Sequence, residues 1–422
     1  MPDFKLTYST MFDPPAELHA RFDAALGALR ACLGAEHAML IGGRDERAPR
    51  QFAVRSPIDT RVVLGRFQAG EDVHARAAVA AAQAAFPAWA ATPWQERVRL
   101  LRRAVALIEE RVYLLGAALA LEVGKNRMEA LGEAQETADL IAYSCDRMDA
   151  EDGYVKPMAR DPLGGFVSEN ASVLRPYGPW LVIAPFNFPF ALAGGPTGAA
   201  LAAGNTVVFK AASTTPWSGR LLADALRDAG VPPGVFNFVT GPGASIGEAL
   251  VRDPGVAGVT FTGSYGVGMH LYRTFAAGRW PRPCIAEMGG KNAAIVSRHG
   301  DLADAATGVA RSAFGLSGQK CSACSRVYIE RSVFGDFVSA LHAATQKISV
   351  GDPTRREHWM GPVIDTAAVA RFEDAAAQVR ALGAAGSVVH GGERLDHGDL
   401  AHGHYCAPTI ARAPLDHPLW HD

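Results

Sequence analysis

Over the first third of the chain, apolar residues recur at helical spacing, and positions 17–33 and 73–90 each read as a helix with one buried face. Thr92-Pro93-Trp94-Gln95 then combines an N-cap threonine, a proline at the first helical position and a glutamine three residues after the cap. That order predicts a helix carrying Leu100, Leu101, Ala104, Leu107 and Ile108. A further helix is predicted over 127–148, and Glu122-Val123-Gly124-Lys125 interrupts the pattern before it. The character changes over 153–175. Pro and Gly come early, and Gly165-Phe166-Val167 and Ser172-Val173-Leu174 follow. This stretch fits a β-hairpin standing off the domain and a plain surface loop equally well.

From Leu181 the period alternates. β-rich apolar runs occupy 181–184, 206–209, 235–239 and 259–262, and helical stretches lie between them at 194–203, 217–229 and 245–252. Short β runs separated by helices predict a parallel sheet covered on both faces. Ligands of such sheets sit at the carboxyl ends of the strands, so the residues just after each strand are the first candidates for chemistry. A second α/β region follows. It has strand-like runs at 292–296, 327–329 and 387–390 and helical runs at 302–314, 333–348 and 366–382.

Composition acts on this picture mainly by exclusion. A chain of 422 residues exceeds one ordinary core, which predicts two or three domains. With 49% hydrophobic and 20% charged residues it reads as a soluble globular protein. The formal net charge of −2 offers no field for nucleic acid, and no Lys/Arg run marks a membrane surface. The opening MPDFKLTYST lacks the basic-then-apolar order of a signal peptide. Positions 176–209 carry no charge and are long enough to span a bilayer, but Pro179, Pro185, Pro189 and Pro196 interrupt them. In lipid those breaks leave backbone groups unsatisfied, so a buried strand–loop–helix–strand is the better reading. Six sparse cysteines are unlike a secreted disulfide framework and suit a reducing cytoplasm.

Three places carry candidate chemistry. Gly318-Gln319-Lys320-Cys321 sets a glycine and a lysine before a cysteine, and a nearby cation favours thiolate, the nucleophilic form. The Cys321-x-x-Cys324 spacing also allows a structural cysteine, a redox pair or half of a zinc site. No second Cys-x-x-Cys or close His pair supplies the other zinc ligands, and no metal site is expected. Glu287 ends the strand-like run 284–286, where a buried carboxylate of raised pKa can activate water; a surface turn glutamate is the alternative. Asn187, set among apolar residues at 184–190, needs a partner for its amide, either an oxyanion or a turn. Glycine turns follow two strands. One is Thr240-Gly241-Pro242-Gly243, leading to Gly247, and the other is Gly263-Ser264, opening a helix; both suit phosphate but neither is a strict dinucleotide fingerprint. Lys210, just after its strand, is placed to meet ribose or phosphate.

Taken in order, PFNFP at 185–189, FK at 209–210, FTGS at 261–264, EMGGK at 287–291, GQKC at 318–321, GPV at 361–363 and YCAPTI at 405–410 resemble the aldehyde dehydrogenase superfamily across nearly the whole chain. Within it, GQKCSACSR at 318–326, EVGKN at 122–126 and IAPFNFP at 183–189 resemble the 1-pyrroline-5-carboxylate (L-glutamate gamma-semialdehyde) dehydrogenase branch. The resemblance implies an α/β fold with a Rossmann-like NAD(P)-binding domain over 1–150 and 176–286. It also implies a small β oligomerisation hairpin over 151–175 and a second α/β catalytic domain over 287–422. Cys321 falls on the nucleophile, Glu287 on the general base and Asn187 on the oxyanion-hole side chain, aided by the Cys321 backbone N–H. Ala184, Pro185, Phe186, Lys210 and Ser213 fall on cofactor-contacting positions, as do Gly241, Gly243, Gly263 and Ser264. Ser322 matches a position touching the substrate's amino-acid end, and Cys324 is a neighbour.

The implied activity is NAD(P)-dependent oxidation of a small aldehyde to its acid through a cysteine thioester, in this branch glutamate semialdehyde to glutamate in proline catabolism. The implied cofactor is NAD. Where many NAD-preferring members carry a glutamate three residues after the lysine, this chain has Ser213, so NADP is possible. Family chains continue with an E-x-F-G-P motif at the point where this chain stops, at Asp422, so a chain truncated at its C-terminus is expected. Two alternatives accompany this reading: a dehydrogenase of another small aldehyde, and an inactive fragment that binds only nucleotide or subunits. Expected partners are the aldehyde and, at full length, further copies of the chain, with no nucleic acid and no membrane.

Overall fold

The computed structural model describes residues 14–165 and 167–420. The opening decapeptide read above for a signal, Phe166 of the 165–167 run, and the last two residues lie outside the described residues. The first helix, α1 (Ala16–Arg30), buries Leu18, Phe22, Leu26 and Leu29, the i, i+4 spacing that predicts it. The chain then departs from the helical expectation. Five short strands occupy the next stretch: β1 (Ala35–His37), β2 (Met39–Ile41), β3 (Arg44–Glu46), β4 (Gln51–Arg55) and β5 (Val63–Gln68). Most are too short for alternation to show, and β2 and β3 are joined by Gly42 and Gly43, both at positive φ, where a two-residue hairpin turn favours glycine. β1, β5 and β4 form their own sheet.

Four helices follow, α2 (Asp72–Ala91), α3 (Trp94–Glu110), α4 (Val112–Val123) and α5 (Arg127–Ala150). The predicted cap of α3 is corrected. Pro93 occupies the cap position, and the Thr92 hydroxyl donates backwards to Ala88 O at 2.9 Å, because only two residues separate the helices and the preceding turn is nearer. α4 escaped the sequence reading. Leu115 through Val123 are all buried, so no polar face marks a period. It ends at Gly124, whose φ of 84° is the left-handed C-cap. Asn126 caps α5 by accepting from Glu129 N at 2.9 Å.

β6 (Val155–Pro157) and β7 (Ala171–Val173) pair antiparallel, which decides for the hairpin over the loop. Gly165 and Val167 lie in its connection rather than in a strand. Val155, Met158, Leu163, Val167 and Leu174 stand exposed along this arm.

The alternating region folds as the period predicts: β8 (Pro179–Ile183), α6 (Ala191–Ala202), β9 (Thr206–Lys210), α7 (Pro216–Asp228), β10 (Phe236–Val239), α8 (Glu248–Arg252), β11 (Gly258–Gly263), α9 (Tyr265–Ala276) and β12 (Cys284–Met288). The seven-stranded sheet runs β12-β11-β8-β9-β10-β2-β3, parallel from β12 to β10 and extended by the β2–β3 hairpin. From β8 the chain builds outward to β9 and β10, then crosses back to β11 on the other side. The crevice at such a reversal, beyond the carboxyl ends of β8 and β11, is where a parallel sheet receives ligands. The uncharged 176–209 segment contains β8, α6 and β9, with Leu181, Val182, Val207, Val208 and Phe209 fully buried. Among the described residues no helix is long and apolar enough to cross a membrane.

The last region is built from β13 (Asn292–Val296), α10 (Leu302–Phe314), β14 (Cys324–Ile329), α11 (Phe334–Thr345), α12 (Thr366–Ala381), β15 (Ser387–His390) and β16 (Ile410–Arg412). β13 and β14 pair in parallel and cover Val296, Val309, Phe314, Phe337, Leu341 and Met360 on one side. On the other side Ile295 is 83% exposed. The buried residues of this region cluster apart from those of the large sheet; Leu316 is the exception and packs with the earlier part of the chain.

Candidate active site

The loop leaving β8 carries Ala184, buried, then Pro185, Phe186, Asn187 and Phe188, all half-buried, before α6 begins. The Asn187 amide finds its partner far along the chain. Its Nδ2 donates to Gln319 O at 2.7 Å, two residues before Cys321. Gln319 is itself anchored, its Oε1 accepting from Ile364 N at 2.9 Å. The fold therefore sets the asparagine loop against the cysteine loop, 132 residues apart in sequence.

Cys321 is exposed and sits in a tight turn between α10 and β14. Leu316 and Ser317 precede it with φ of 50° and 55°, followed by Gly318 at 74°. Two non-glycine residues in the left-handed region store backbone strain, which persists only where surrounding contacts hold it. Here the Ser317 hydroxyl donates to Gly361 O at 2.7 Å, and Leu316 is buried in the earlier core. Behind the turn, Asn292 Nδ2 donates to Cys321 O at 2.5 Å and to Ala323 O at 3.1 Å. Lys320, the cation next to the thiol in sequence, has its ammonium paired with Glu129 at 2.8 Å. Cys324, half-buried at the start of β14, is also a free thiol. Among the described residues no group of three or more His, Cys, Asp or Glu side chains comes together to hold a metal ion. Ser322 is exposed beside Cys321.

Glu287 lies on β12, the edge strand, in register with Thr262 of β11. The burial expected to tune it is not there: Glu287 and Ile285 point to the same uncovered face, and Ile285 is 52% exposed. Among the described residues β12 is the last strand on its side of the sheet. The loop after it still approaches the cysteine, because a Cβ at Gly290 would lie 3.8 Å from Cys321 O.

The glycine turns and Lys210 gather at the carboxyl ends of the strands. Ser213 Oγ donates to Gly241 O at 3.1 Å and ties the turn after β9 to the turn after β10. Gly241 has φ 138°, and a Cβ there would stand 2.9 Å from Gly70 N. Gly243 faces open space. Gly263 ends β11, where a Cβ would strike the Phe261 ring, and Ser264 is the cap residue of α9 without a side-chain capping bond. That leaves the helix N-terminus and the serine hydroxyl available to an anionic ligand. Among the described residues Lys210 is buried with no ion-pair partner, and burial pushes its pKa down to about 8. The Lys210 side chain lies at this rim, its Cε 3.8 Å from where a Cβ at Gly247 would stand, and a buried ammonium there suits a nucleotide's ribose or phosphate oxygens.

Lys210 supports a stability prediction. Its folded pKa lies below the usual 10.5, so the buried charge costs stability at pH below about 8 and the cost is relieved as pH rises from about 8 to 10.5. Lys210→Met should therefore stabilise the ligand-free protein at pH 7 by roughly a few kcal/mol, and the gain should shrink towards pH 10.5. Urea unfolding at pH 7, 9 and 10.5 measures it; a gain that does not change with pH rules the account out.

Sequence reasoning missed a set of buried carboxylates on α4 and α5. Glu122 accepts from Trp217 N at 2.6 Å and Ser218 N at 2.9 Å, capping α7 from a distance, and its burial pushes its pKa up to about 7. Glu133 pairs with Lys125 at 2.7 Å with both side chains fully buried. Charged residues next to the pattern break at 122–125 were the available signal; their partners lie too far away in sequence to be read.

With this geometry in place, the comparisons define the class. The chain belongs to the aldehyde dehydrogenase family, whose pattern matches residues 44–422. Among individual proteins it is 36% identical over 394 residues to 1-pyrroline-5-carboxylate dehydrogenase of Geobacillus thermodenitrificans, a match covering 92% of this chain and 74% of that one. Its structure matches that of 1-pyrroline-5-carboxylate dehydrogenase from Thermus with bound NAD at a TM-score of 0.91 and 30% identity, over 100% of this chain and 80% of that one. It also matches proline utilization A (PutA) from Bdellovibrio bacteriovorus at a TM-score of 0.89 and 32% identity, over 95% of this chain but 41% of that longer one.

Proposed function

We propose that this chain oxidises glutamate semialdehyde, the open form of pyrroline-5-carboxylate, to glutamate with NAD, as a step of proline catabolism. The observation that carries the reading is the Asn187–Gln319 contact at 2.7 Å, which places a side-chain amide donor beside the loop of an exposed cysteine. A cavity lined by Glu129, Glu136, Phe188, Arg311 and Lys320 adjoins both loops. Its mixture of carboxylates and cations around an aromatic ring suits an aldehyde bearing an amino and a carboxylate group. The names of the relatives point to the same substrate.

In this reading Cys321 thiolate adds to the aldehyde carbon. The C–S bond forms as the carbonyl π pair moves onto oxygen, and that oxyanion is held by Asn187 Nδ2 and the Cys321 backbone N–H. Ala184, Pro185, Phe186, Lys210, Ser213, Gly241, Gly243, Gly263 and Ser264 would hold the dinucleotide, which would supply the hydride acceptor for this oxidation. Glu287 takes a proton from water as it attacks the resulting thioester. The C–S bond then breaks and Cys321 leaves as thiolate with the free acid. Ser322 contacts the amino-acid end of the substrate. Segments 1–150 and 176–286 bind cofactor, 287–422 carry the chemistry, and the apolar arm over 151–175 joins copies of the chain. The absence of a carboxylate at Ser213 lets NADP replace NAD. The cytoplasm is the proposed compartment.

The test follows NADH absorbance at 340 nm with glutamate semialdehyde, with simple aliphatic aldehydes of similar length, and with NADP in place of NAD. A kcat/KM at least about tenfold higher for the semialdehyde supports the branch, given the energy of one satisfied charged contact. Equal values overturn the substrate, and no NADH with any aldehyde overturns the reading.

A further inference from the structure

The buried Lys125–Glu133 pair is expensive to keep, since apolar residues of the same volume are usually no less stabilising at such a site. Its contacts show what it holds. Glu133 Oε1 accepts from Phe190 N at 2.9 Å and Ala191 N at 3.2 Å, the start of α6. Glu133 Oε2 meets Lys125 Nζ at 2.7 Å, and that ammonium lies 3.5 Å from the centre of the Phe188 ring. Three of the four residues after Asn187 are thus gripped by one ion pair. The pair is anchored in turn. Gly124 turns the chain between α4 and α5, Asn126 Nδ2 donates to Trp359 O at 2.9 Å, and Arg127 Nε donates to Thr354 O at 2.7 Å.

One helical turn before Glu133, on the same face of α5, Glu129 takes Lys320 at 2.8 Å, immediately before Cys321. Two carboxylates four residues apart therefore grip the two halves of the candidate site, one the asparagine loop and the other the cysteine loop. A helix with a rise of about 1.5 Å per residue is stiff over that distance.

We propose that α5 sets the distance between Asn187 and Cys321, with Glu133 and Lys125 acting as positioning residues for the oxyanion donor. The inference rests on the role given to Asn187 above. A misplacement of about 1 Å in such a donor costs on the order of 100-fold in rate.

The test is the double variant Lys125→Met/Glu133→Gln, which removes both charges together and strands neither. It is expected to lower kcat about 10- to 100-fold while the KM for NAD stays within about threefold. Adding Asn187→Ala to it should cost less than about threefold more, because both changes act through one amide. Amide exchange of residues 184–191 should quicken about tenfold or more in the double variant, with the middle of α5 unchanged. Unchanged exchange at 184–191 overturns the clamp whatever the kinetics. So does a double variant that keeps wild-type kcat, or full additivity with Asn187→Ala. Asn187→Ala alone leaving kcat unchanged overturns instead the oxyanion reading on which the inference rests.

Discussion

Cys321→Ala is expected to reduce NAD-dependent aldehyde oxidation by on the order of 10⁴-fold or more, while Cys324→Ala changes it less than about threefold. The structure separates the two thiols. Cys321 is exposed in a turn that follows two strained residues, with the Asn187 amide held two residues away at Gln319 O. Cys324 is half-buried at the start of β14, with its thiol directed to Arg326 O at 3.4 Å. Without the nucleophile no thioester forms, so the loss should appear in the first turnover and not only at steady state. Rapid-mixing measurement of NADH in both variants decides it. Comparable losses from the two substitutions would favour a redox or metal pair instead. Activity surviving in Cys321→Ala would remove the nucleophile assignment.

The second large effect is expected at Glu287 and has a different kinetic shape. If this carboxylate activates the hydrolytic water, Glu287→Gln leaves the first hydride transfer largely intact and slows turnover by about 10²- to 10⁴-fold. A burst of NADH of about one equivalent per active site, followed by a slow phase, is the expected trace, with acyl-enzyme detectable by intact mass. Loss of the burst itself would place Glu287 before hydride transfer. The test bears directly on the assignment, because Glu287 is exposed on the edge strand.

The fold was legible wherever the period was clean. The strand–helix alternation from β8 to β12 predicted the parallel sheet with boundaries within a few residues, because each strand is a short apolar run set off by an amphipathic helix or a glycine turn. It was illegible where burial is complete or elements are tiny. α4 has no polar face to reveal its turn, and β1 to β3, three residues each, are too short to alternate. The Thr92 cap was misread because a hydroxyl chooses between two nearby turns by geometry, which spacing does not encode.

Site chemistry divided along the same line. The sequence by itself determined which residues were candidates, since Cys321, Glu287 and Asn187 lie in ordered motifs that resemble one family, and the match over 44–422 places the chain there. Only the tertiary structure decided their surroundings: that Asn187 reaches the Cys321 loop across 132 residues, that Lys320 belongs to Glu129, and that Glu287 is uncovered. It alone disclosed Lys125 and Glu133, a buried pair joining the turn before α5 to α5 itself and touching the loop that opens α6. The physical reason is that local spacing records which face of an element is apolar. Hydrogen bonds and ion pairs between distant segments are set by how the elements stack, and the stacking leaves no period in the sequence.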